Sequence, residues 1–281
     1  MTKNEYPIGF FDSGIGGISV LRQAVKLLPK ENFVYLGDSR NAPYGKRSTE
    51  DVRELTLIGA NILYKRGIKA IVIACNTATS AAIEDLRKRY LNIPVIGIEP
   101  AIKPAVKLKK IGKIIIMATA VTINEIKFNN LCKKYSDEAD ILPLPCPGLV
   151  ELIEDGKYIS DEVFTYLKEK LLPYSKAPIS SIVLGCTHYP FIIKELSEVL
   201  ISFQMIPKVI VNGIIEDKEK LSNEVFIIDG SIGTAKQLKK KLTEASILNI
   251  SRIKGKVEII NTLGEGRAYE LCKLLLKEIL I

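Results

Sequence analysis

Residues 68–75 read IKAIVIAC, and residues 179–186 read ISSIVLGC. Both runs begin with Ile, carry Ile-Val at the fourth and fifth places and a small residue at the seventh, and end in Cys. Polar residues follow each: Asn76-Thr77-Ala78-Thr79 in one, Thr187-His188-Tyr189-Pro190 in the other. A short β-branched run, apolar on both faces, is what a strand needs when helices cover its sheet on each side. The repeat therefore predicts two equivalent strand–Cys–helix units. Each thiol ends a strand and stands near a helix N-terminus, where helix amides stabilise a thiolate and lower a thiol pKa from about 8.5. A thiolate so placed can abstract a proton, and a second thiol kept neutral can donate one.

The same alternation extends outward. Strands are predicted at 8–11, 33–36, 70–74, 95–98, 113–118, 141–144, 182–185, 208–211 and 226–228. Helices are predicted at 17–28, 49–66, 79–89, 100–109, 124–135, 150–154, 160–174, 191–200, 234–242 and 266–280. This is the pattern of an α/β protein with parallel sheets, whose ligands bind beyond the carboxyl ends of the strands. Two proline-marked places, Pro94 to Pro104 and Pro207, bracket a middle segment. They predict a first α/β domain from 1–98 plus 208–281 and a second from 99–207.

Length and composition exclude several classes. A chain of 281 residues that is 47% hydrophobic and 26% charged has the makeup of a globular protein with ordinary cores. Its longest apolar runs, such as 71–75 and 114–118, fall far short of the roughly 18 residues of a membrane span. The start, MTKNEYPIGFFDSG, lacks a signal-peptide pattern. Net charge is +8, but the lysines are scattered, and no zinc-finger or RNP signature accompanies them. A solvated basic surface is expected rather than a nucleic-acid role. Five cysteines, an odd number, suit free thiols in the cytoplasm. With one histidine and no CxxC or HxxxH spacing, no metal site is expected. Cys132, Cys146 and Cys272 lack the context of Cys75 and Cys186 and read as structural.

The remaining post-strand loops carry the other candidates. Asp12-Ser13-Gly14-Ile15-Gly16-Gly17 follows the first strand but fits neither GxGxxG nor the P-loop. Asp12 can hold an ammonium group, orient a thiol, or merely cap the helix with Ser13. The loop 37–46, GDSRNAPYGK, is rich in turn formers. Thr119 and Thr122 offer two hydroxyls near a helix start, for a carboxylate or for capping. His188, two residues past Cys186, can assist proton transfer or stabilise a thiolate. A Cys186–His188 hydrolase leaves Cys75 unexplained, and no GxSxG elbow exists for a serine enzyme.

FFDSGIGG at 10–17, DSRNAPYG at 38–45, ACNTAT at 74–79 and GCTHYP at 185–190 together resemble the glutamate racemases of the aspartate/glutamate racemase superfamily. The resemblance spans most of the chain. It implies two Rossmann-like parallel-sheet domains in pseudo-twofold relation, an active site in the cleft between them, and no cofactor. The implied reaction interconverts L- and D-glutamate, and D-glutamate is needed for peptidoglycan. By position, Cys75 and Cys186 match the catalytic cysteines. Asp12 and Ser13, Pro43, Tyr44 and Gly45, Asn76 and Thr77, and Thr187 and His188 match substrate-contacting motifs. Glu154 looks like the acidic residue that works with the histidine. Thr119 and Thr122 survive in a segment whose surroundings, Ala118, Glu125 and Phe128, depart from the family pattern. The resemblance implies that Cys75 takes the proton from D-glutamate and Cys186 from L-glutamate. Asp12 assists near Cys75, and His188 with Glu154 near Cys186. A homodimer is expected by the same route. The rival readings are an aspartate or hydantoin racemase, or a non-catalytic amino-acid binding protein.

Overall fold

The computed structural model describes residues 3–210 and 222–277. Within them the chain forms two compact units, residues 3–99 with 231–277 and residues 100–210 with 222–230. The first stretch holds β1 (Ile8–Asp12), α1 (Ile18–Leu27), β2 (Phe33–Gly37), α2 (Thr49–Lys65), β3 (Ala70–Ile73), α3 (Asn76–Arg89) and β4 (Val95–Gly97). The second holds α4 (Ile102–Lys107), β5 (Lys113–Ala118), α5 (Ala120–Asn124), α6 (Ile126–Lys133), β6 (Ile141–Pro145), α7 (Leu149–Glu154), α8 (Asp161–Leu171), β7 (Ile179–Leu184), α9 (Ile193–Ser202), β8 (Ile206–Val209) and β9 (Glu224–Asp229). The last adds α10 (Ser231–Glu244), β10 (Val257–Asn261) and α11 (Arg267–Lys277).

The first unit is built on a parallel sheet in the order β10-β2-β1-β3-β4. β1, β2 and β3 are buried along their whole length, which is why they read as unbroken apolar runs rather than as alternations. Strand order reverses direction between β1 and β3, so the loops after these two strands part there and leave room for a ligand. One core cluster joins Phe11, Ile71, Ile73, Ala78, Ile83 and Leu86. Each large side chain so buried contributes about 1.5–3 kcal/mol. Beside the amino end of β3, the buried Lys69 ammonium lies 2.5 Å from Glu31 and donates to the carbonyls of Asn4 and Ile247. Glu31 in turn accepts from the Asn249 amide. Burial pushes the Lys69 ammonium below its ordinary value, against the pull of Glu31. Removing either partner strands the other charge, a loss of about 3–5 kcal/mol.

The second unit carries a parallel sheet in the order β6-β5-β7-β9-β8. Here the reversal falls between β5 and β7. One of its core clusters joins Ile102, Leu108, Ile114, Ile116, Phe128, Val183 and Ile228.

The structure moves the second domain boundary. β9 pairs with β7, Ser181 opposite Phe226, and β8 pairs with β9. Residues 208–209 and 226–228 thus belong to the second sheet, and the chain returns to the first unit at about residue 231 rather than 208. Pro207 misled because it lies in β8, an edge strand, where a missing amide is tolerated. Val211, the last residue of the strand expected at 208–211, lies outside the described residues, as do residues 278–280 of the last helix. Two further departures matter for the site. α3 begins at Asn76, three residues earlier than expected. The helix expected at 124–135 is broken at Glu125, whose backbone is extended (ψ 139°) between α5 and α6.

Candidate active site

In the first unit, parallel register sets the carboxyl ends of β1 and β3 side by side: Phe11 pairs with Ile73, and the Ala74 amide donates to the Phe11 carbonyl. Asp12 therefore ends its strand next to the turn that carries Cys75. Its buried carboxylate accepts from the Gly14 amide at 2.9 Å. A Cβ at Gly17 would come within 2.6 Å of the Asp12 Cβ, so only glycine lets this carboxylate lean over the start of α1. Cys75 is the N-cap of α3, and the Ala78 amide donates to its Sγ at 3.4 Å. The thiol also lies 3.5 Å from the Ser13 hydroxyl. Helix amides aimed at the sulfur favour its charged form.

Asn76 and Thr77 fill the first turn of α3 and are buried. The Asn76 Oδ1 is buried with no hydrogen-bond partner among the described residues. An acceptor stranded this way costs about 1–3 kcal/mol until a donor reaches it. Pro43 follows a cis peptide bond, and Tyr44 and Gly45 open a single 3-10 turn. The Tyr44 hydroxyl donates to Asp38 at 2.7 Å. Burial first, then the Asp38 carboxylate, hold the Tyr44 phenol far above its usual range, so it remains a proton donor.

In the second unit, Met117 pairs with Leu184, and the Gly185 amide donates to the Met117 carbonyl at 2.7 Å. A Cβ on Gly185 would meet that carbonyl at 2.8 Å, which explains the glycine before Cys186. The Cys186 Sγ lies 3.6 Å from His188 Nδ1, and His188 Nε2 lies 2.6 Å from Glu154 at the end of α7. Burial by itself pushes the imidazole down. The hydrogen bonds to Cys186 and Glu154 outweigh it, and His188 stands well above its ordinary value. Thr119 caps α5 by accepting from the Thr122 amide, and the two hydroxyls are 3.0 Å apart. Thr187 is buried beside Cys186.

The candidate residues thus fall into two groups. Asp12, Ser13, Pro43, Tyr44, Gly45, Cys75, Asn76 and Thr77 lie in the first unit, and Thr119, Thr122, Glu154, Cys186, Thr187 and His188 in the second. The repeat predicted equivalent cysteine stations, and the structure shows that they differ. Cys75 caps an α-helix directly, whereas Cys186 is followed by a 3-10 turn at Tyr189–Ile192, and α9 begins only at Ile193. Pro190 in that turn cannot supply an amide, which is the local reason. Phe128 is core, packed with α4 and β5. Cys272 is buried, and burial pushes Cys132 up to about 11 and Cys146 up to about 12, so neither of those two is a reactive thiolate. Sequence reasoning missed Tyr189, a buried phenol whose hydroxyl donates to the Cys146 carbonyl at 3.4 Å. Its position directly after His188 was the available signal. It also missed Asn261 and Thr262, because the run VEIIN at 257–261 was not read as a strand.

A family model described as Asp/Glu/Hydantoin racemase matches residues 13–211. The chain is 52% identical over 276 residues to a glutamate racemase of Clostridium acetobutylicum, across 98% of this chain and 99% of that one. It is 53% identical over 262 residues to a glutamate racemase of Clostridium botulinum, across 93% of each. Among solved structures it is similar to the crystal structure of glutamate racemase from Francisella tularensis in complex with D-glutamate. The TM-score is 0.78 and the identity 27%, with 98% of this chain and 95% of that chain covered.

Proposed function

The chain belongs to the Asp/Glu/hydantoin racemase family, and we propose from that premise that it interconverts L- and D-glutamate through two cysteine bases. The observation that carries the reading is the pair of buried thiols, each just past the carboxyl end of the strand beyond its sheet's reversal point. Inverting an amino acid requires removal of the Cα proton on one face and delivery of a proton on the other. Cys75 as thiolate takes the proton from D-glutamate while the Cys186 thiol donates, and the roles exchange for L-glutamate.

The other residues divide the remaining work. Asp12 and the unsatisfied Asn76 oxygen receive the α-ammonium group. Thr77, Thr187 and the amides opening α3 stabilise charge that develops on the α-carboxylate. Thr119 and Thr122 serve as hydroxyl contacts for a carboxylate. Ser13 and the Pro43–Tyr44–Gly45 turn complete the substrate contacts in the first unit. His188, held by Glu154, returns the proton to Cys186 or withdraws it. No cofactor enters this scheme. Two thiols that must stay reduced suit the cytoplasm, where the product would supply D-glutamate to peptidoglycan. The protein acts as a homodimer in this reading, which light scattering of the purified chain tests.

The deciding experiment incubates dialysed protein with L-glutamate in D₂O and follows circular dichroism and Cα deuterium. Loss of optical signal with deuterium entry is expected. A constant signal with no exchange, while glutamate still binds, would make the protein a binder and overturn the proposal. Running L-aspartate in parallel tests the substrate, since aspartate turning over faster would replace glutamate in the reading.

A further inference from the structure

We infer that Thr262, from the far end of the chain, is a positioning residue for the Tyr44–Gly45 turn. The inference rests on the proposed role of that turn in holding substrate.

Asp38 is buried directly after β2, and its carboxylate gathers donors from three places. The Asn41 amide reaches both oxygens, at 3.1 and 3.0 Å. Tyr44 donates to Oδ2 at 2.7 Å, and Thr262 donates to Oδ1 at 3.0 Å. The Thr262 hydroxyl also accepts from the Arg40 amide at 3.0 Å. One hydroxyl thus ties the loop backbone at Arg40 to the carboxylate that fixes Tyr44. Thr262 is itself fixed, because its own amide donates to the Gly37 carbonyl as the β10–β2 pairing runs out. Asn261 adds a second tie: its amide nitrogen donates to the Ser39 hydroxyl at 2.8 Å, and its oxygen accepts from the Leu263 amide.

These bonds span more than 220 positions of sequence, from Asp38 to Thr262. The loop between β2 and α2 is otherwise held by the Asp38 amide on the Asp12 carbonyl, by short turns such as Asn41 to Asp38 and Ala42 to Ser39, by Arg47 on the Asn41 carbonyl, and by the Tyr44 ring in the core. Of the bonds to Asp38, only that from Thr262 comes from β10's end of the chain. With Thr262 in place, the Asp38 carboxylate faces Tyr44 at a set angle, and the turn is ordered before substrate arrives. Preorganisation of this kind strengthens binding without touching the reacting atoms. The signature of its loss is a raised KM at nearly constant kcat.

The test is Thr262→Val, which keeps the shape and removes the hydroxyl, beside Thr262→Ser, which restores it. Steady-state racemisation of both glutamate enantiomers is measured for each. Thr262→Val is expected to raise KM about tenfold with kcat changed less than about threefold, and Thr262→Ser to lie close to wild type. Asn261→Ser, which frees Ser39 and leaves Thr262 intact, is expected to raise KM about threefold, and it reads the same clamp if the valine variant does not fold. An unchanged KM in Thr262→Val, or in Asn261→Ser where that variant stands in, overturns the inference. So does an equal rise in the serine variant, which would make the methyl group rather than the hydroxyl the active part. These results presuppose an active wild type. A wild-type chain without racemase activity overturns the proposed function itself.

Discussion

Cys75 and Cys186 stand at the same topological station, past β3 and past β7, yet their surroundings do different work. The Cys75 sulfur accepts from the Ala78 amide at the start of a 14-residue helix, and its thiol donates to the Ser13 hydroxyl. The Cys186 sulfur is served by a titrating group, His188, itself anchored to Glu154. A backbone amide does not titrate, so this part of the Cys75 support is the same at every pH. An imidazole carries its charge only while protonated, so the Cys186 side depends on pH. A single strand–Cys repeat thus carries two different kinds of support for its sulfurs.

The largest effects come from the sulfurs. Cys75→Ser and Cys186→Ser are each expected to lower kcat at least a thousandfold in both directions. Full activity in either variant would break the comparison, because one thiol would then suffice. Next is the relay. His188→Asn is expected to cost about a hundredfold in kcat, and Glu154→Gln about tenfold, measured from each enantiomer separately. A double variant that loses the product of the two single losses would mean that Glu154 acts independently of the histidine. Ser13→Ala, which removes the acceptor of the Cys75 thiol, is expected to cost less than about tenfold.

The smallest effect is on stability and concerns pH alone. His188 is raised in the folded protein by Cys186 and Glu154, over the opposing push of burial. The stabilisation it brings is therefore full below its unfolded value of about 6.5 and is lost as pH rises through the higher folded value. Urea midpoints of wild type and His188→Asn should differ most at about pH 6 and converge on the alkaline side. A gap that widens with pH would reverse the sign and rule out a charged imidazole beside Cys186.

Much of the fold is legible in the sequence. The apolar runs of β1, β3, β5 and β7 mark strands covered on both faces, and the residues just after them make up the candidate site. Asp12, Cys75, Thr119 and Cys186 are visible as candidates because a parallel sheet puts strand-end residues where ligands bind. What stayed hidden depended on pairing. Pro207 reads as a breaker unless one knows that β8 is an edge. VEIIN does not read as a strand because Glu258 interrupts its apolar run, as a partly buried edge strand allows. The contact from Thr262 to Asp38 leaves no local trace, since neither residue's neighbours change with it. The differing supports of the two thiols reflect a 3-10 turn with Pro190 after Cys186, and a Glu154 that reaches His188 from 34 residues away.

The division of the first unit across the chain bears on how the protein matures. Residues 100–230 are continuous, so the second unit, with its Cys186–His188–Glu154 chain, can fold as soon as that stretch is synthesised. The first unit must wait. Until β10 arrives, β2 is an open edge, and until α10 and α11 arrive, α1 lacks the helices that pack on it. Asp38 lacks its Thr262 donor until the last 20 residues have begun to emerge. Closing a loop of that length is slow, and it leaves an unpaired strand exposed to other nascent chains. In the proposed reaction the surroundings of Cys186 would thus be complete early, and those of Cys75 only once β10 docks.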